Sequence, residues 1–548
     1  MTNPVKQPAA DDMSGPEDNT LSTQPEVSLR KAGLAIVLLE SYLPEVELLL
    51  QRMKGRVKSP QTTGLPAWIR DLRKTQVFLA EMRSNLPAAV DDSTLDAISR
   101  RLDACAVNAS HGQTQWDILK RCRSFVGVNQ SFQGSDKDTR KREIARVADL
   151  RGGDKQRLHR TLKEQAKVEV DVVDGGAEWL AIRTLQPDRL ARQMTDSGWD
   201  WGEHSVGDDV DESEWDDVPL AKQVRRLAAA ARINRHEYRV PRIRVVLPNI
   251  SRRESEDVDV LLSRLSRIDP AVQVSFEDKD SDFLQRPVPP LSNAIEHLLG
   301  HEFDGLTETL NVDHTILIDL ISDITHARLQ PQPWQEETTR AQIVEENLSD
   351  GGVMAQTLYP ILDGRKLVCT KEAAEHFHEV LRTVGTSTER ERGRLLVPFD
   401  NDIRQMSDVA IRSRFKELSI HELPITVQLP LCVHDQDWDV PSIERAIADG
   451  RLPPVALDVA GCAGFKSSKL STYMHGWATD LITITSNKEV RGQIRTWVEA
   501  NRRDEGDYGP RIWRVNTTRN LLAKSATPRG STPPDYEIAH RGSELGET

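Results

Sequence analysis

The sequence is short of cysteine and of long apolar runs, and each shortage excludes a class of protein. Its 548 residues include five cysteines, which are scattered and form no CxxC pair, so neither a disulfide framework nor a structural zinc site is expected. The strongest early apolar run, from Leu34 to Leu39, is too short to cross a bilayer or to serve as a signal-peptide core. We therefore expect a protein of a reducing compartment, cytoplasmic or nuclear, with no membrane partner.

Familiar catalytic signatures are also missing. The sequence contains no P-loop, no GxGxxG after a strand, no HExxH and no GxSxG, which are the usual signatures of nucleotide binding, zinc proteolysis and α/β-hydrolase chemistry. The formal net charge is −13, so the molecule as a whole is not expected to be attracted to nucleic acid. Any contact with nucleic acid must come from a local surface.

What is present is enough apolar sequence for several folded units. Hydrophobic residues are 38% and charged residues 29%, which is typical of a globular protein. Residues 1–24 and 524–548 have the Pro-, Ser- and Gly-rich composition of disordered tails. Between them the patterns predict a helical unit at 25–130, a basic linker or helix at 131–165 and an α/β middle unit at 166–305. From 306 to 523 strands alternate with helices, which predicts a doubly wound parallel sheet.

One segment is strongly basic. Residues 137–163 contain ten Lys or Arg against four Asp or Glu, a net of +6. Clustered Lys and Arg gain affinity for phosphate backbones through counterion release, which makes Arg140, Lys141 and Arg142 candidate nucleic-acid contacts, with RNA as one candidate partner. The alternative is a solvated helix or linker, favoured by the lack of an aromatic residue for base stacking.

A second biased segment is acidic. Residues 198–218 read GWDWGEHSVGDDVDESEWDDV and include three tryptophans. This composition predicts an exposed or disordered insertion. The alternative is a docking segment for a protein partner, in which the tryptophans become ordered on binding.

The segment from Leu306 to Thr325, LTETLNVDHTILIDLISDIT, carries most of the functional argument. It reads as a strand, an Asp at the end of the strand, and a helix whose apolar face leaves Asp319 and Asp323 turned away. The carboxyl end of a buried parallel strand is where α/β folds assemble their sites, so Asp313 is a candidate metal or phosphate-handling group. The alternative is that Asp313 only caps the helix.

Four blocks of the sequence together resemble a known family. In order along the chain they are VDVVDGGAEW, LNVDHTILIDLISDITH, LVCTKEAAEHFHEVLRTVGTSTERERG and GWATDLITITSNKEV. The chain resembles the uncharacterised eukaryotic family called domain of unknown function 1308 (DUF1308), in its fungal form, over most of residues 165–523. That family's C-terminal half is similar to the PIN-like nuclease fold. Active PIN-like members gather three or four acidic side chains at the carboxyl edge of a parallel sheet, where Mg²⁺ or Mn²⁺ supports phosphodiester cleavage.

The resemblance implies a set of candidate site residues. Asp313 matches the first acidic position and would be a metal ligand. The second position falls near His376, so Glu375, Glu372 or Glu379 on the same predicted helix would have to replace it. The alternative for Glu375 and Glu379 is a solvated helix face.

The third and fourth positions are less well matched. The third falls at Thr479, where Asp480 is the nearest carboxylate and therefore the remaining catalytic candidate, and the fourth is the neutral Asn487. Asn487 could instead cap the following helix. Thr485, Ser486 and Asn487 could also bind a phosphate at that helix N-terminus without a metal.

The resulting prediction is a nucleic-acid-associated protein with a PIN-like domain and a degraded metal-dependent nuclease site. One alternative is a non-catalytic protein-interaction scaffold, and another is an active Mg²⁺- or Mn²⁺-dependent ribonuclease. If the site exists, the strands ending at Val312 and Thr485 should be parallel neighbours that open Asp313 and Asn487 on one edge.

Overall fold

The structure, a computed structural model, describes residues 24–54, 63–85, 92–135, 137–146, 152–208, 210–301, 303–462, 465 and 467–522. The tails predicted to be disordered lie outside the described residues, apart from Gln24. The chain divides into two compact units, residues 1–302 and 303–548. Within the described ranges no helix is both long enough and apolar enough to span a bilayer.

The first unit is built on a five-stranded sheet with the order β1-β2-β3-β4-β5, in which β1, β2 and β3 pair antiparallel and β3, β4 and β5 pair parallel. Its strands are β1 (Phe125–Gln133), β2 (Lys167–Asp174), β3 (Glu178–Ile182), β4 (Arg242–Leu247) and β5 (Val274–Asp278). Its helices are α1 (Gln24–Lys54), α2 (Leu65–Asn85), α3 (Asp92–Leu119), α4 (Lys137–Arg146), α5 (Gly152–Gln165), α6 (Pro187–Asp196), α7 (Glu212–Trp215), α8 (Pro219–Ile233), α9 (Glu256–Leu265), α10 (Asp282–Gln285) and α11 (Leu291–Leu299).

Alternation along β3 explains why this unit has two apolar layers. Leu180 and Ile182 belong to a core shared with helices α1 to α3, whereas Trp179 and Ala181 belong to a core shared with helices α6 to α9. Successive side chains of a strand point to opposite faces, and a central strand with both faces apolar needs a layer on each. The helical segment and the middle α/β segment, separated in the sequence analysis, therefore share one core.

Most described residues of the acidic segment are exposed, in line with the expected insertion, but the segment also contains α7 and contributes side chains to the core of the unit. Of its tryptophans, Trp199 and Trp215 are buried and only Trp201 is exposed. The Trp199 indole Nε1 donates a hydrogen bond of 2.9 Å to Asp257 Oδ1, and the guanidinium of Arg264 lies over the Trp215 ring. The acidic neighbours in the sequence obscured the apolar character of these side chains. Two of the three tryptophans pack inside the first unit.

The second unit contains an entirely parallel five-stranded sheet with the order β10-β9-β6-β7-β8, which confirms the predicted α/β class. Its strands are β6 (Thr309–Val312), β7 (Lys366–Thr370), β8 (Cys432–His434), β9 (Ile482–Thr485) and β10 (Ile512–Arg514). Its helices are α12 (His314–Asp319), α13 (Asp323–His326), α14 (Glu337–Leu348), α15 (Val353–Thr357), α16 (Tyr359–Leu362), α17 (Lys371–Val384), α18 (Ser387–Leu396), α19 (Asn401–Arg404), α20 (Asp408–Glu417), α21 (Val440–Ala448), α22 (Val455–Ala460), α23 (Ser467–Ala478) and α24 (Val490–Asn501).

The order of the strands places a topological switch point beside the central strand. The chain moves outward from β6 through β7 to β8, then returns to the other side of β6 as β9 and continues to β10. The strands β6 and β9 are parallel neighbours, with Val312 paired with Ile484. The predicted pairing of these strands is confirmed, and open α/β sheets bind ligands in the crevice at such a switch point.

Two aspartates predicted to face away from the apolar core are in fact buried. Asp323 accepts from the guanidinium of Arg392, a side chain with no exposed surface. Asp319 accepts hydrogen bonds of 2.8 Å from Thr518 Oγ1 and Arg519 N. Burial is tolerated because each carboxylate has charged or polar donors. Those donors come from distant parts of the sequence, so the periodicity of the helix could not reveal them.

Candidate site at the carboxyl edge of the parallel sheet

Asp313 lies immediately after β6 at the switch point, with only 2% of its surface exposed. It precedes α12, but its side chain makes no capping hydrogen bond to that helix, so capping does not explain its presence. Its Oδ2 accepts from Thr485 Oγ1 at 2.6 Å, from Thr315 Oγ1 at 3.2 Å and from Tyr473 OH at 3.3 Å. Three hydroxyl groups from α12, α23 and the end of β9 therefore converge on one carboxylate oxygen.

The other oxygen of Asp313 faces a histidine. Oδ1 lies 2.7 Å from His314 Nδ1, within ion-pair distance. The His314 ring packs edge-on against the His376 ring of α17, with centroids 4.7 Å apart. Two imidazoles thus occupy the space beside Asp313 where the resemblance requires a second carboxylate.

The electrostatics of the edge favour an ionised Asp313 and uncharged imidazole at His376. Burial by itself would raise the pKa of Asp313, but the contacts with His314, Thr485 and Thr315 outweigh burial and the pKa is lowered. Burial lowers the pKa of His376, and repulsion by His314 lowers it further, against the attraction of Glu379 and Asp313. The site is consequently a single held carboxylate with an adjacent imidazole pair.

Three of the four predicted catalytic carboxylates do not complete a cluster. Glu375 and Glu379 are on α17 but their side chains are exposed to solvent. Asp480 precedes β9, in a left-handed conformation with φ of 52°, and its side chain is 84% exposed. Because β9 runs parallel to β6, Asp480 lies at the amino edge, a strand length of roughly 13 Å from the carboxyl edge. Asp480 therefore cannot share a cation with Asp313, which corrects that assignment.

The predicted phosphate-binding residues use their polar groups internally. Thr485 Oγ1 donates to Asp313 and accepts from Asn487 N at 3.1 Å. Asn487 Oδ1 accepts from the N–H groups of Glu489 and Val490 at 3.0 and 3.3 Å, so it satisfies the first free N–H groups of α24 in the way a cap does. The Ser486 N–H donates to Thr315 Oγ1 at 3.1 Å. With an anionic Asp313 beside them, these residues do not form a phosphate cradle.

A second buried carboxylate beside the edge was missed by the sequence analysis. Asp319, at the end of α12, is 1% exposed, and burial raises its pKa to about 7 against the hydrogen bonds from Arg519, Thr518 and Ser486. It lies one helical turn after Thr315, so both face the segment that follows β9. The spacing of Thr315 and Asp319 on one face was the only signal available in the sequence.

The donor set at the edge does not fit a pair of divalent hard cations. Mg²⁺ prefers several oxygen ligands in octahedral geometry. The groups gathered here are the carboxylate of Asp313, two imidazoles, and hydroxyl groups that already donate hydrogen bonds to that carboxylate. Over the whole described part of the chain, no group of three or more His, Cys, Asp or Glu side chains is arranged to hold a metal ion.

The predicted basic contact residues also separate in the structure. Arg140 is buried, and its guanidinium donates to the backbone oxygen of Ser135 and, at 3.0 Å, to the Ser135 hydroxyl. Lys141 and Arg142 are exposed. Arg140 therefore anchors α4 and is not placed for contact with a ligand, which removes it from the predicted nucleic-acid surface.

These observations define the second unit as a parallel α/β domain with a polar, partly buried site at its switch point. Residues 310–423, from β6 to just beyond α20, match the model of a family described as Protein of unknown function (DUF1308). The match confirms the resemblance of this region to the DUF1308 family and assigns no activity. Searches of curated proteins and of solved structures found no match.

Proposed function

We propose that the protein is nucleic-acid-associated, with a PIN-like second unit whose edge site has lost the ligand set for two-metal cleavage. The single observation that supports the loss of the ligand set is the environment of Asp313. A metal-dependent phosphodiesterase needs cations that activate water and offset charge on the leaving oxygen. Here the first acidic position is retained, but hydroxyl groups hold one oxygen and imidazoles stand beside the other.

The alternatives are less well supported by the described residues. An active Mg²⁺- or Mn²⁺-dependent ribonuclease would need Glu375 or Glu379 to turn inward from exposed positions, with no help from Asp480. A scaffold that docks a partner through the acidic segment would have one exposed tryptophan, Trp201, because Trp199 and Trp215 are already buried. Nucleic-acid association keeps the observed fold and requires neither change.

Two assays on the purified full-length chain test this proposal. In the first, labelled single-stranded RNA is incubated with Mg²⁺ or Mn²⁺ and either the native chain or Asp313→Asn. We expect no cleavage above an EDTA control, because the edge lacks ligands for the cations. Metal-dependent turnover that Asp313→Asn abolishes would overturn the proposal and restore the ribonuclease alternative, whereas turnover unaffected by the substitution would indicate a contaminating nuclease.

The second assay measures binding of RNA and DNA by fluorescence anisotropy at low salt, about 50 mM. Binding that weakens steeply as salt is added is expected, because an acidic chain can attract phosphate only through a local basic surface. Absence of binding to every nucleic acid under these conditions would reject nucleic-acid association.

A further inference from the structure

The helical hairpin of residues 134–166 is the connection between two paired strands. The ladder between β1 and β2 reaches Gln133 paired with Lys167, and Gly134 N donates to Ala166 O at 2.7 Å just beyond that pair. The chain thus leaves and re-enters the sheet at one point, and α4 and α5 pack against each other between these ends. The hairpin is attached to the first unit by the closing pair at its base.

The base of the hairpin is held by polar contacts. Arg140 binds Ser135, as described above, and Gln133 Nε2 donates to Lys163 O at 2.9 Å. Asn234 Nδ2 on the neighbouring segment donates to Gln133 O at 2.8 Å. These contacts fix the direction of α5 as well as that of α4, so the exposed face of α5 is presented by a supported helix.

The helix α5 is amphipathic, and its exposed face is basic. Leu158 and Leu162 are partly buried and lie one turn apart. The charged side chains that the structure describes along this helix are exposed cations, namely Lys155, Arg157, Arg160 and Lys163. At 100° per residue these four cations span an arc of about 200°, and at 1.5 Å per residue they extend over about 12 Å of the axis. They form a predominantly basic face.

We propose that this face of α5, defined by Lys155, Arg157, Arg160 and Lys163, binds the phosphate backbone of a nucleic-acid duplex. This inference rests on the proposed nucleic-acid association and names its contact residues and substrate class. It also adds four positions on α5 to the predicted α4 positions, of which Arg140 is buried whereas Lys141 and Arg142 are exposed.

The choice of a duplex over a single strand follows from the missing stacking groups. Residues 134–166 contain no Phe, Tyr or Trp, and the nearest aromatic residue before them, Phe132, is stacked on Trp179 with centroids 4.1 Å apart. Proteins that bind single strands combine basic grooves with aromatic side chains that stack on bases. A purely cationic helix gains most from the higher charge density of a duplex, one charge per roughly 1.7 Å, and an α-helix fits the major groove of B-DNA, about 12 Å wide.

The test uses the full-length chain with three probes of the same sequence, a DNA duplex of about 20 base pairs, an RNA duplex and the single DNA strand, and measures anisotropy across a salt series. We expect both duplexes, or the DNA duplex alone, to bind at least roughly tenfold more tightly than the single strand. With four phosphate contacts, the slope of log affinity against log salt for B-DNA should be about −3.6. A single strand that binds as tightly as the duplexes would overturn the duplex assignment and leave nucleic-acid association intact.

Charge reversal then locates the surface. Arg157→Glu with Arg160→Glu should weaken duplex binding more than tenfold and reduce the magnitude of the slope by about 2. The matched control reverses Lys74 and Lys416 to Glu, whose side chains are 71% and 68% exposed elsewhere, and it changes the net charge equally. Circular dichroism checks that both variants are folded.

Equal loss in the α5 variant and in the control would overturn the assignment to α5, and unchanged binding in the α5 variant would do the same. If no probe binds to the native chain at low salt, the proposed nucleic-acid association itself fails.

Discussion

The two buried aspartates beside the switch point should respond to the same substitution in opposite directions. Asp313 and Asp319 are six residues apart and are 2% and 1% exposed, yet local contacts lower the pKa of Asp313 while burial raises the pKa of Asp319 to about 7. Asn has nearly the same shape as Asp but carries no charge. Asp313→Asn should therefore destabilise the protein at neutral pH, and Asp319→Asn should be neutral or stabilising.

The magnitudes follow from the contacts. Asp313→Asn removes the charge from a carboxylate that accepts from Thr485 at 2.6 Å, and a hydrogen bond to a charged group contributes about 1.5–3 kcal/mol to the free energy of unfolding. For Asp319, the rise in pKa from 3.8 to about 7 means that ionising the buried side chain costs on the order of 4 kcal/mol. Asn avoids this cost, so we expect a gain of about 1–4 kcal/mol above neutral pH.

The dependence on pH has a defined sign for each residue. The pKa of Asp313 is lower when folded, so its stabilisation is present above its unfolded pKa of about 4 and is lost as pH falls through the folded pKa. The pKa of Asp319 is higher when folded, so its contribution is favourable below about pH 4 and is lost as pH rises from about 4 to 7. The deficit of Asp313→Asn should shrink in acid, and the gain of Asp319→Asn should develop between these two pH values.

Urea unfolding of the full-length chain, followed by tryptophan fluorescence at about pH 5 and pH 8, measures both differences. Equal losses of stability by both variants at pH 8 would contradict these expectations, as would an advantage of Asp319→Asn that is larger at pH 5 than at pH 8.

Two further pairs of substitutions test the packing around the site. Arg392→Met should destabilise the protein by about 3–5 kcal/mol, because it leaves the buried carboxylate of Asp323 without its charged partner. The control Arg394→Met, at an exposed ion pair, should cost less than about 1 kcal/mol. Comparable urea midpoints for the two variants would contradict this expectation. Gly476→Ala should lower the free energy of unfolding by about 1–3 kcal/mol, because its Cβ would overlap the hydroxyl of Thr483. In the matched Gly492→Ala variant the Cβ meets no atom within 4 Å, and stability should rise by up to about 1 kcal/mol. Thermal unfolding that ranks these two variants in the reverse order would refute the close approach of α23 to the sheet.

The position of Asp313 could be predicted from the sequence because it depends on local pattern. A short apolar strand followed by Asp and an amphipathic helix indicates the carboxyl end of a buried parallel strand, and the second apolar run ending at Thr485 indicates its neighbour. The pairing of Val312 with Ile484 confirms this expectation. Local sequence was sufficient because the hydrophobic pattern identifies both buried strands, and parallel pairing places their carboxyl ends at the same edge of the sheet.

The rest of the site depended on contacts that no local pattern contains. Asp480 was chosen because it is the carboxylate nearest to a family position, but parallel topology puts the residue before a strand at the opposite edge. The helical pattern predicts only that Asp319 is turned away from the apolar face, because its donors, Thr518 and Arg519, come about two hundred residues later. His376 was recognised as occupying the second position, but its packing against His314 required coordinates.

The most direct test of the central claim is calorimetric titration of Mn²⁺ into the full-length chain and into Asp313→Asn. A site with the ligand set for metal-dependent cleavage would bind Mn²⁺ at Asp313 and lose that binding with the substitution. We expect superimposable titrations for the two proteins, because one carboxylate held by hydroxyl groups does not form such a site. A saturable binding event present in the native chain and missing in Asp313→Asn would contradict it.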